Sequence, residues 1–180
     1  MTILMIVAVT TSSCDKVAEL TTVKVPVGKL TFNFDAIIDN DARSAVILRA
    51  AEIHKFSGKD TLVLNSENLN SYAGYLNLVK SVTVNAIDIK ITSESGGTFV
   101  QKMELKSNYL NSSWTLPEYR FGNSYKGDEA LCTLFSKALM AVFENKKVDV
   151  ELSGETDGPA GGKITITVAL EGYLTAQLVK

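Results

Sequence analysis

The sequence predicts a mainly β fold: an antiparallel, β-sandwich-like domain with one long amphipathic helix at about 128–145 and one or two short helices. Three observations lead to this prediction. Seven or eight short segments alternate apolar and polar residues, which is the pattern of half-buried strands. One segment repeats pairs of apolar residues every four positions, as a helix with a single buried face does. Strands and helices do not alternate regularly along the chain, which argues against a parallel doubly wound sheet.

The first two alternating segments are "TTVKVPV" and "KLTFNFDAII". Pro26 favours an edge position, because proline has no N–H to donate to a strand partner. Gly28 separates the two segments, which form either one bent strand or a tight hairpin.

The next segments are less regular. The spacing of the apolar residues within 43–56 favours a helix in the middle, and a strand over the same residues remains open. "KDTLVLN" predicts a short strand. "SENLNSYAGYLNLVK" predicts a short helix with Ser66 as its N-cap and an apolar stripe that reaches Val79.

The segment "SVTVNAIDIKIT" changes the parity of its apolar residues between Ala86 and Ile87. A β-bulge has this effect, because one extra residue moves every later side chain to the opposite face. After the turn "SESGGT", the segment "FVQKMELK" predicts a returning strand that pairs with the first as a hairpin.

"DEALCTLFSKALMAVFEN" predicts the long helix, with Asp128 as its N-cap and the acidic Glu129 in its first turn. Three strands follow, in "KVDVELS", "KITITVAL" and "YLTAQLV". Glu171 and Gly172 predict a tight hairpin turn between the last two.

The size and charge of the chain narrow its function. Its 180 residues suit a single domain, predicted over 21–180, and 46% of them are hydrophobic, enough for a substantial core. The net charge of -2 and the absence of a basic run argue against nucleic acid as a partner. No apolar stretch approaches the roughly 20 residues that a membrane-spanning helix requires.

The first twenty residues carry a resemblance to a known class of protein. Residues 3–9 are all apolar, small polar residues follow, and Cys14 begins the sequence "CDK". This pattern resembles the lipoprotein signal of bacteria, and its "SSCDK" form is similar to that of Bacteroides-type outer-membrane lipoproteins. No Lys or Arg precedes Lys16, so the basic segment of a typical signal is missing and a start codon upstream of Met1 would supply it.

The resemblance implies a signal peptide over 1–13, lipidation of Cys14, and a tether over 14–20 that attaches the domain to a membrane. It implies a place in the cell envelope, at the outer membrane, facing either the periplasm or the cell surface. Two or more acyl chains give stable attachment, whereas one chain gives only marginal binding. The alternative is that "TILMIVAVT" forms a strand buried on both faces.

The residues offer little for catalysis or cofactor binding. Cys132 has no cysteine partner once Cys14 is lipidated, and we expect it to pack as a small hydrophobe; a disulfide with Cys14 and a nucleophilic thiol are the alternatives. His54 is the single histidine and is expected at the surface or half-buried. Zinc sites need three or four Cys or His ligands, so no metal or other cofactor is predicted.

Two further segments have compositions that occur in ligand-binding loops, but we interpret both as turns. "DAIIDNDA" holds Asp35, Asp39, Asn40 and Asp41 but lacks the spacing of a calcium-binding EF-hand loop. The glycine-rich segment 154–162 lies between strands, whereas a phosphate-binding loop should lead into a helix. We expect it to be a mobile hairpin loop.

One segment combines aromatic and polar residues in the way that binding surfaces do. Aromatic side chains are rigid contacts with polar handles, and they suit sugar rings or a partner protein. The same segment could instead anchor a long connection to the core. The candidate binding residues are Tyr109, Trp114, Tyr119, Arg120, Phe121 and Tyr125.

These observations favour a non-enzymatic exported lipoprotein that binds or assembles with carbohydrate or another envelope protein. An apolar-ligand carrier with a cavity between sheet and helix is the first alternative. A hydrolase that uses two carboxylates is the second alternative.

Overall fold

The computed structural model describes residues 22–43, 52–64, 74–144 and 146–177. It confirms a mainly β fold with one long helix. A 3-10 turn spans Leu76–Leu78, and the helix α1 spans Glu129–Phe143. The strands are β1 (Thr22–Arg43), β2 (Ile53–Leu62), β3 (Val79–Ser93), β4 (Phe99–Ser107), β5 (Ser112–Arg120), β6 (Ser124–Lys126), β7 (Val148–Thr156) and β8 (Lys163–Gln177).

The eight strands form one antiparallel sheet in the order β5-β4-β7-β2-β1-β8-β3-β6. Two four-stranded halves meet where β1 pairs with β2, and the sheet curls so that its two ends approach each other. The hydroxyl of Tyr119 on β5 accepts a hydrogen bond from the backbone N–H of Ile91 on β3 at 3.3 Å. The sheet is therefore a nearly closed barrel whose seam is joined by a side chain.

Strands β1 and β8 correct one expectation and decide another. The segments on either side of Gly28 form one strand, with a register shift between Val27 and Leu30. The predicted hairpin turn at Glu171 and Gly172 is wrong, because β8 runs through both residues. A Cβ on Gly172 would lie 2.0 Å from a backbone oxygen of β3, so this glycine permits a close approach of two strands.

The predicted bulge in β3 is confirmed by a register shift between Val84 and Ala86. Side chains are buried on one parity up to Val84 and on the other from Ile87 onward. The predicted hairpin of β3 with β4 is wrong. β3 pairs with β8 and β6 in one half of the sheet, and β4 pairs with β5 and β7 in the other half. The turn between them therefore crosses from one half to the other.

The helix closes the open edge of β3. Asp128 is the N-cap as predicted, and its Oδ1 accepts the N–H of Leu131 at 2.8 Å. Ser136 accepts the N–H of Val84 at 2.9 Å, and Gly127 donates to the carbonyl of Ile87 at 2.8 Å. The buried helix face consists of Leu131, Leu134, Phe135, Ala138, Leu139, Ala141 and Phe143. This face joins the inward side chains of both half-sheets in one core.

Several expectations fall outside the described residues. These are the signal peptide, Cys14 and its tether, the alternative strand in the first ten residues, and the helix expected in the middle of 43–56, of which 44–51 are not described. From Ile53 onward that segment is strand. The helix expected after Ser66 is described only near its end, where the 3-10 turn is followed at Val79 by β3, so Val79 is not helical.

Candidate functional site

The six candidate binding residues do not share one surface. Trp114 and Tyr119 are buried, and Phe121 and Tyr125 are half-buried against the core. The two exposed members are Tyr109, before β5 begins, and Arg120, where β5 ends. At about 3.3 Å per residue, the nine-residue strand between them separates them by roughly 25 Å. Most of the segment therefore anchors β5 and the following connection to the core.

The indole of Trp114 supports the start of the helix. Its Nε1 donates to both carboxylate oxygens of Asp128, at 3.1 and 3.2 Å. The ring of Tyr125 is tilted against the indole, with a centroid separation of 5.8 Å. Asp128 therefore connects strand β5 to the first turn of α1.

Beside this junction, a groove of about 630 Å3 runs between the first residues of β5 and the outward stripe of α1. We call it the β5–α1 groove. Its volume lies within the usual range for small-molecule sites, about 300–1,000 Å3. The lining residues are Ser112, Ser113, Asp128, Glu129, Ala130, Thr133, Leu134 and Lys137.

The groove combines hydroxyl groups with both signs of charge. The carboxylate of Asp128 is engaged by Trp114 and by the helix backbone. The side chains of Glu129, Thr133 and Lys137 are exposed along one stripe of the helix. These groups can donate and accept hydrogen bonds to a polar ligand or to a partner protein, and none of them is arranged as a nucleophile with its base.

The sequence prediction did not include Ser113, Thr133 or Lys137. The polar stripe at positions 129, 133 and 137 follows helical spacing and could have been identified from the sequence. Its position opposite the start of β5 depends on how the helix crosses the seam of the sheet, which local patterns do not determine.

The described thiol and imidazole do not form a catalytic pair. Cys132 is a free, partly buried cysteine on α1. Burial raises the pKa of its thiol, and the negative charges of Asp128 and Glu129 raise the pKa further, which opposes formation of the thiolate. His54 lies on β2 and is buried, contrary to the expected surface or half-buried position. Its inward-facing position on the strand accounts for the difference.

The carboxylates whose pKa values are shifted favour the ionised form. A hydrogen bond from Lys163 lowers the pKa of Asp35, and one from Thr61 lowers the pKa of Asp149. Lys59 does the same for Glu151. A carboxylic acid that donates a proton near neutral pH needs a raised pKa instead. Asp35 and Glu151 form cross-strand ion pairs with Lys163 and Lys59, and Asp149 pairs with Lys147 two residues before it on the chain.

The two segments interpreted as turns hold no ligand geometry in the described residues. Asp35 is committed to Lys163 and Thr165, and no group of three or more His, Cys, Asp or Glu side chains there could hold a metal ion. In the glycine-rich loop, the N–H of Gly161 donates to the carbonyl of Ile38, and the carbonyl of Gly162 accepts the N–H of Ile38. The loop is thus tied to β1.

Between the sheet and the helix, the described residues line a very small cavity. That cavity has a volume of about 10 Å3, between the helix residues Leu134, Phe135 and Ala138 and the strand residues Leu62, Leu105 and Val150. An acyl chain does not fit in such a volume. The helices of the described residues include none that is long and apolar enough to cross a membrane.

Comparison with known proteins assigns no family to the chain. No family model matches it, and no curated protein matches it. Among solved structures, a chain of the particle described as "Israeli acute paralysis virus heated to 63 degree - full particle" is similar over 99% of this chain and 85% of that chain, at 14% identity and a TM-score of 0.30. A similarity of this size carries no conclusion about fold or function.

Proposed function

We propose that this protein is an exported lipoprotein whose β-sandwich-like body serves as a non-enzymatic binding or assembly module. Lipidation of Cys14 attaches the body to the cell envelope, at the outer membrane, through the short tether over 14–20. The support for this location is the succession of an apolar segment, small polar residues and a cysteine at the start of the chain.

The β5–α1 groove is the observation that carries the binding role. It offers exposed hydroxyl, carboxylate and ammonium groups on a rigid helix and strand, next to the junction of Trp114 and Asp128. Groups held on such elements bind with less loss of conformational freedom than groups on loops. The ligands we propose are a carbohydrate or another envelope protein.

The chemistry of the described side chains supports a role without catalysis. The thiol of Cys132 has a raised pKa, and the shifted carboxylates of the outer face are held ionised by lysine and threonine partners. A carrier of apolar ligands gains no support from the small cavity under the helix.

The anchor is tested by metabolic labelling with a clickable fatty acid in a bacterial host. We expect label in the wild type and in Cys132→Ala, and none in Cys14→Ala. Equal label in the wild type and in Cys14→Ala rejects the anchor. The variant Cys132→Ala serves as the matched control, because it removes the other cysteine of the chain.

The groove is tested separately by placing a photo-crosslinking amino acid at Thr133, with Lys90 on the outer face of β3 as the control position. We expect one discrete adduct from Thr133 in intact cells, lost when Lys137→Glu is added, and no such adduct from Lys90. Adducts that are the same from both positions contradict a binding role for the groove.

A further inference from the structure

Strand β5 is the end strand of the sheet, and one of its sides has no strand partner in the described parts of the chain. On its other side it pairs with β4 along its whole length, in a constant register. Among the backbone hydrogen bonds outside the helix and the strand ladders of the described residues, none involves Ser113 or Thr115. The unpaired side of β5 is therefore an edge, and it begins in the β5–α1 groove, which Ser113 lines.

The peptide groups of Ser113 and Thr115 point toward this edge. Phe121, directly after β5, packs against the core and donates its N–H to the carbonyl of Thr98 on the β4 side at 3.0 Å. Residues of one strand whose side chains lie on the same face direct their peptide groups to the same neighbour. Trp114 shares the buried face with Phe121, so its peptide groups also face β4. Those of the two residues that flank Trp114 face the edge.

The groove carries one charge of each sign that lacks a partner within the described ranges. Glu129 lies at the start of the helix and Lys137 two turns later, and both line the groove with exposed side chains. The ion pairs of the described residues include neither. Eight helical positions correspond to about 12 Å along the axis, and four residues of an extended chain correspond to about 13 Å. An extended segment with opposite charges four residues apart therefore matches this spacing.

The direction of the helix determines the order of those charges. α1 begins beside Trp114, and its later residue Leu134 lies beside Leu110, in the turn before β5. The helix therefore runs in the direction opposite to β5. A segment antiparallel to β5 runs with the helix, so its first charged residue lies beside Glu129 and its second beside Lys137.

We infer that the β5–α1 groove takes an extended segment of a partner protein, added antiparallel to the edge of β5. A lysine or arginine of this segment pairs with Glu129, and an aspartate or glutamate four residues later pairs with Lys137. Strand addition supplies affinity through main-chain hydrogen bonds, and the side chains supply specificity. A neutral carbohydrate leaves both charges of the groove unpaired. This inference rests on the binding role proposed for the groove and is independent of the anchor.

The chain itself is a poorer source of such a segment. A basic residue followed four positions later by an acidic one occurs at Lys90 and Glu94 and at Lys147 and Glu151. Lys90 lies between β8 and β6 in the sheet, and Glu151 lies between β2 and β4. A second copy would have to give up these pairings in order to enter the groove, so a different protein is the favoured occupant.

The test is an NMR titration of the full chain bearing Cys14→Ala, which removes the lipidation site. The probe is a short threonine–valine peptide with one lysine and, four residues later, one glutamate. The matched control peptide exchanges the positions of its two charged residues. We expect the first peptide to bind at least about threefold more tightly than the second. At saturation it should slow amide exchange at Ser113 and Thr115 at least about tenfold and leave Trp114, whose N–H faces β4, unchanged.

Charge variants test whether the groove is the site. Lys137→Glu should weaken binding of the first peptide by about threefold or more. The double variant Glu129→Lys, Lys137→Glu should reverse the preference between the two peptides. Lys90→Glu, exposed on β3, makes the same charge change outside the groove and should bind as the chain without it does.

Four outcomes overturn the inference. The first is equal affinity for the two peptides. The second is fast amide exchange at Ser113 and Thr115 that millimolar peptide leaves unchanged, and the third is slow exchange at these residues in the free protein, because the edge would then already be covered. The fourth is protection that rises with protein concentration in the absence of peptide, which identifies a second copy as the occupant.

The photo-crosslink from Thr133 separates this inference from the proposed function. A discrete adduct in cells, together with no preference between the two peptides, rejects the charged extended segment and keeps the binding role of the groove. The absence of both an adduct and a preference rejects the two together.

Discussion

The indole Nε1 of Trp114 lies 3.1 Å from one carboxylate oxygen of Asp128 and 3.2 Å from the other, and one of these oxygens also caps the helix through Leu131. The single tryptophan therefore stabilises the position of a helix terminus and is not an exposed contact for a ligand. This relationship also sets one wall of the β5–α1 groove.

Replacing Trp114 with phenylalanine keeps a ring in the core and removes the hydrogen bond to Asp128. We expect a loss of about 1–2 kcal/mol in the free energy of unfolding, as for a partly buried bond to a charged group. Asp128→Ala should cost a similar amount, because it also removes the N-cap. In a double-mutant cycle followed by circular dichroism in urea, the two losses should couple by at least about 0.5 kcal/mol. Strict additivity would contradict the connection.

Tyr119→Phe tests the seam of the sheet. The change leaves the buried N–H of Ile91 without its acceptor and should cost about 1–2 kcal/mol of stability. Amide exchange at Ile91 should accelerate, while the neighbouring buried amides of β3 stay slow. Tyr173→Phe, on β8, is the control and should change neither quantity. If exchange at Ile91 is the same in Tyr119→Phe and in the wild type, the seam is held by other contacts.

Gly172→Ala tests the close approach of β8 and β3. The added Cβ would meet the backbone oxygen of Thr83 at 2.0 Å, so a strand must move. We expect a loss of about 1–3 kcal/mol, typical of overpacking. Gly28→Ala is the matched control, because nothing lies within 4 Å of its added Cβ. Urea denaturation should show a stable Gly28→Ala and a weakened Gly172→Ala; equal midpoints would be inconsistent with the observed contact.

The lowered pKa of Asp157 predicts that the stability of the protein depends on pH. Burial acts to raise the pKa of this carboxyl, but hydrogen bonds from the Thr98 hydroxyl and from the N–H groups of Phe99 and Thr98 outweigh it and leave the pKa below its usual value. A lowered pKa in the folded state adds stability above the unfolded pKa of about 3.9, and this stability is lost as the pH falls through the folded value.

Asp157→Asn should therefore be less stable than the wild type by about 1–2 kcal/mol at pH 7, with the difference shrinking below pH ~4. Urea denaturation at pH 7, 5 and 3 measures it. Asp39→Asn, exposed on β1, is the control and should change stability little at any of these pH values. A difference for Asp157→Asn that is the same at pH 7 and pH 3 would show that the carboxylate charge is not involved.

Local sequence patterns predicted the helices and strands better than they predicted which strands pair with each other. The cap at Asp128 and the bulge near Ala86 depend on a few neighbouring residues, and both are confirmed. The hairpin of β3 with β4 failed because a glycine-containing turn fits either a hairpin or a crossing between half-sheets. Gly172 was interpreted as a turn, since a glycine after an alternating segment looks the same whether it reverses the chain or admits a neighbouring backbone.

In the candidate site, too, local features could be predicted from the sequence and long-range positions could not. The aromatic segment was found from its composition, but burial of Trp114 and Tyr119 depends on which side of β5 faces the core. The alternation of "SSWTLPEYR" places Trp114 on the parity of Leu116, so its core position could be predicted from the sequence. Tyr119 lies on the opposite parity, because the buried positions change parity after Leu116. The sequence did not predict that Ser113 lies opposite the polar stripe of α1, because this position depends on how the chain crosses the seam of the sheet.

The position of β8 has a consequence for how the molecule is made. This strand comes last among the described elements, yet it lies between β1, the earliest of them, and β3 along almost their whole lengths. During synthesis, β1 remains without this neighbour until residues 163–177 have left the ribosome. Pairing across so large a sequence separation is slow. In a chain that stops before Lys163, the long strands β1 and β3 would lack the partner that they share. Premature termination should therefore yield an aggregating product and no smaller folded unit.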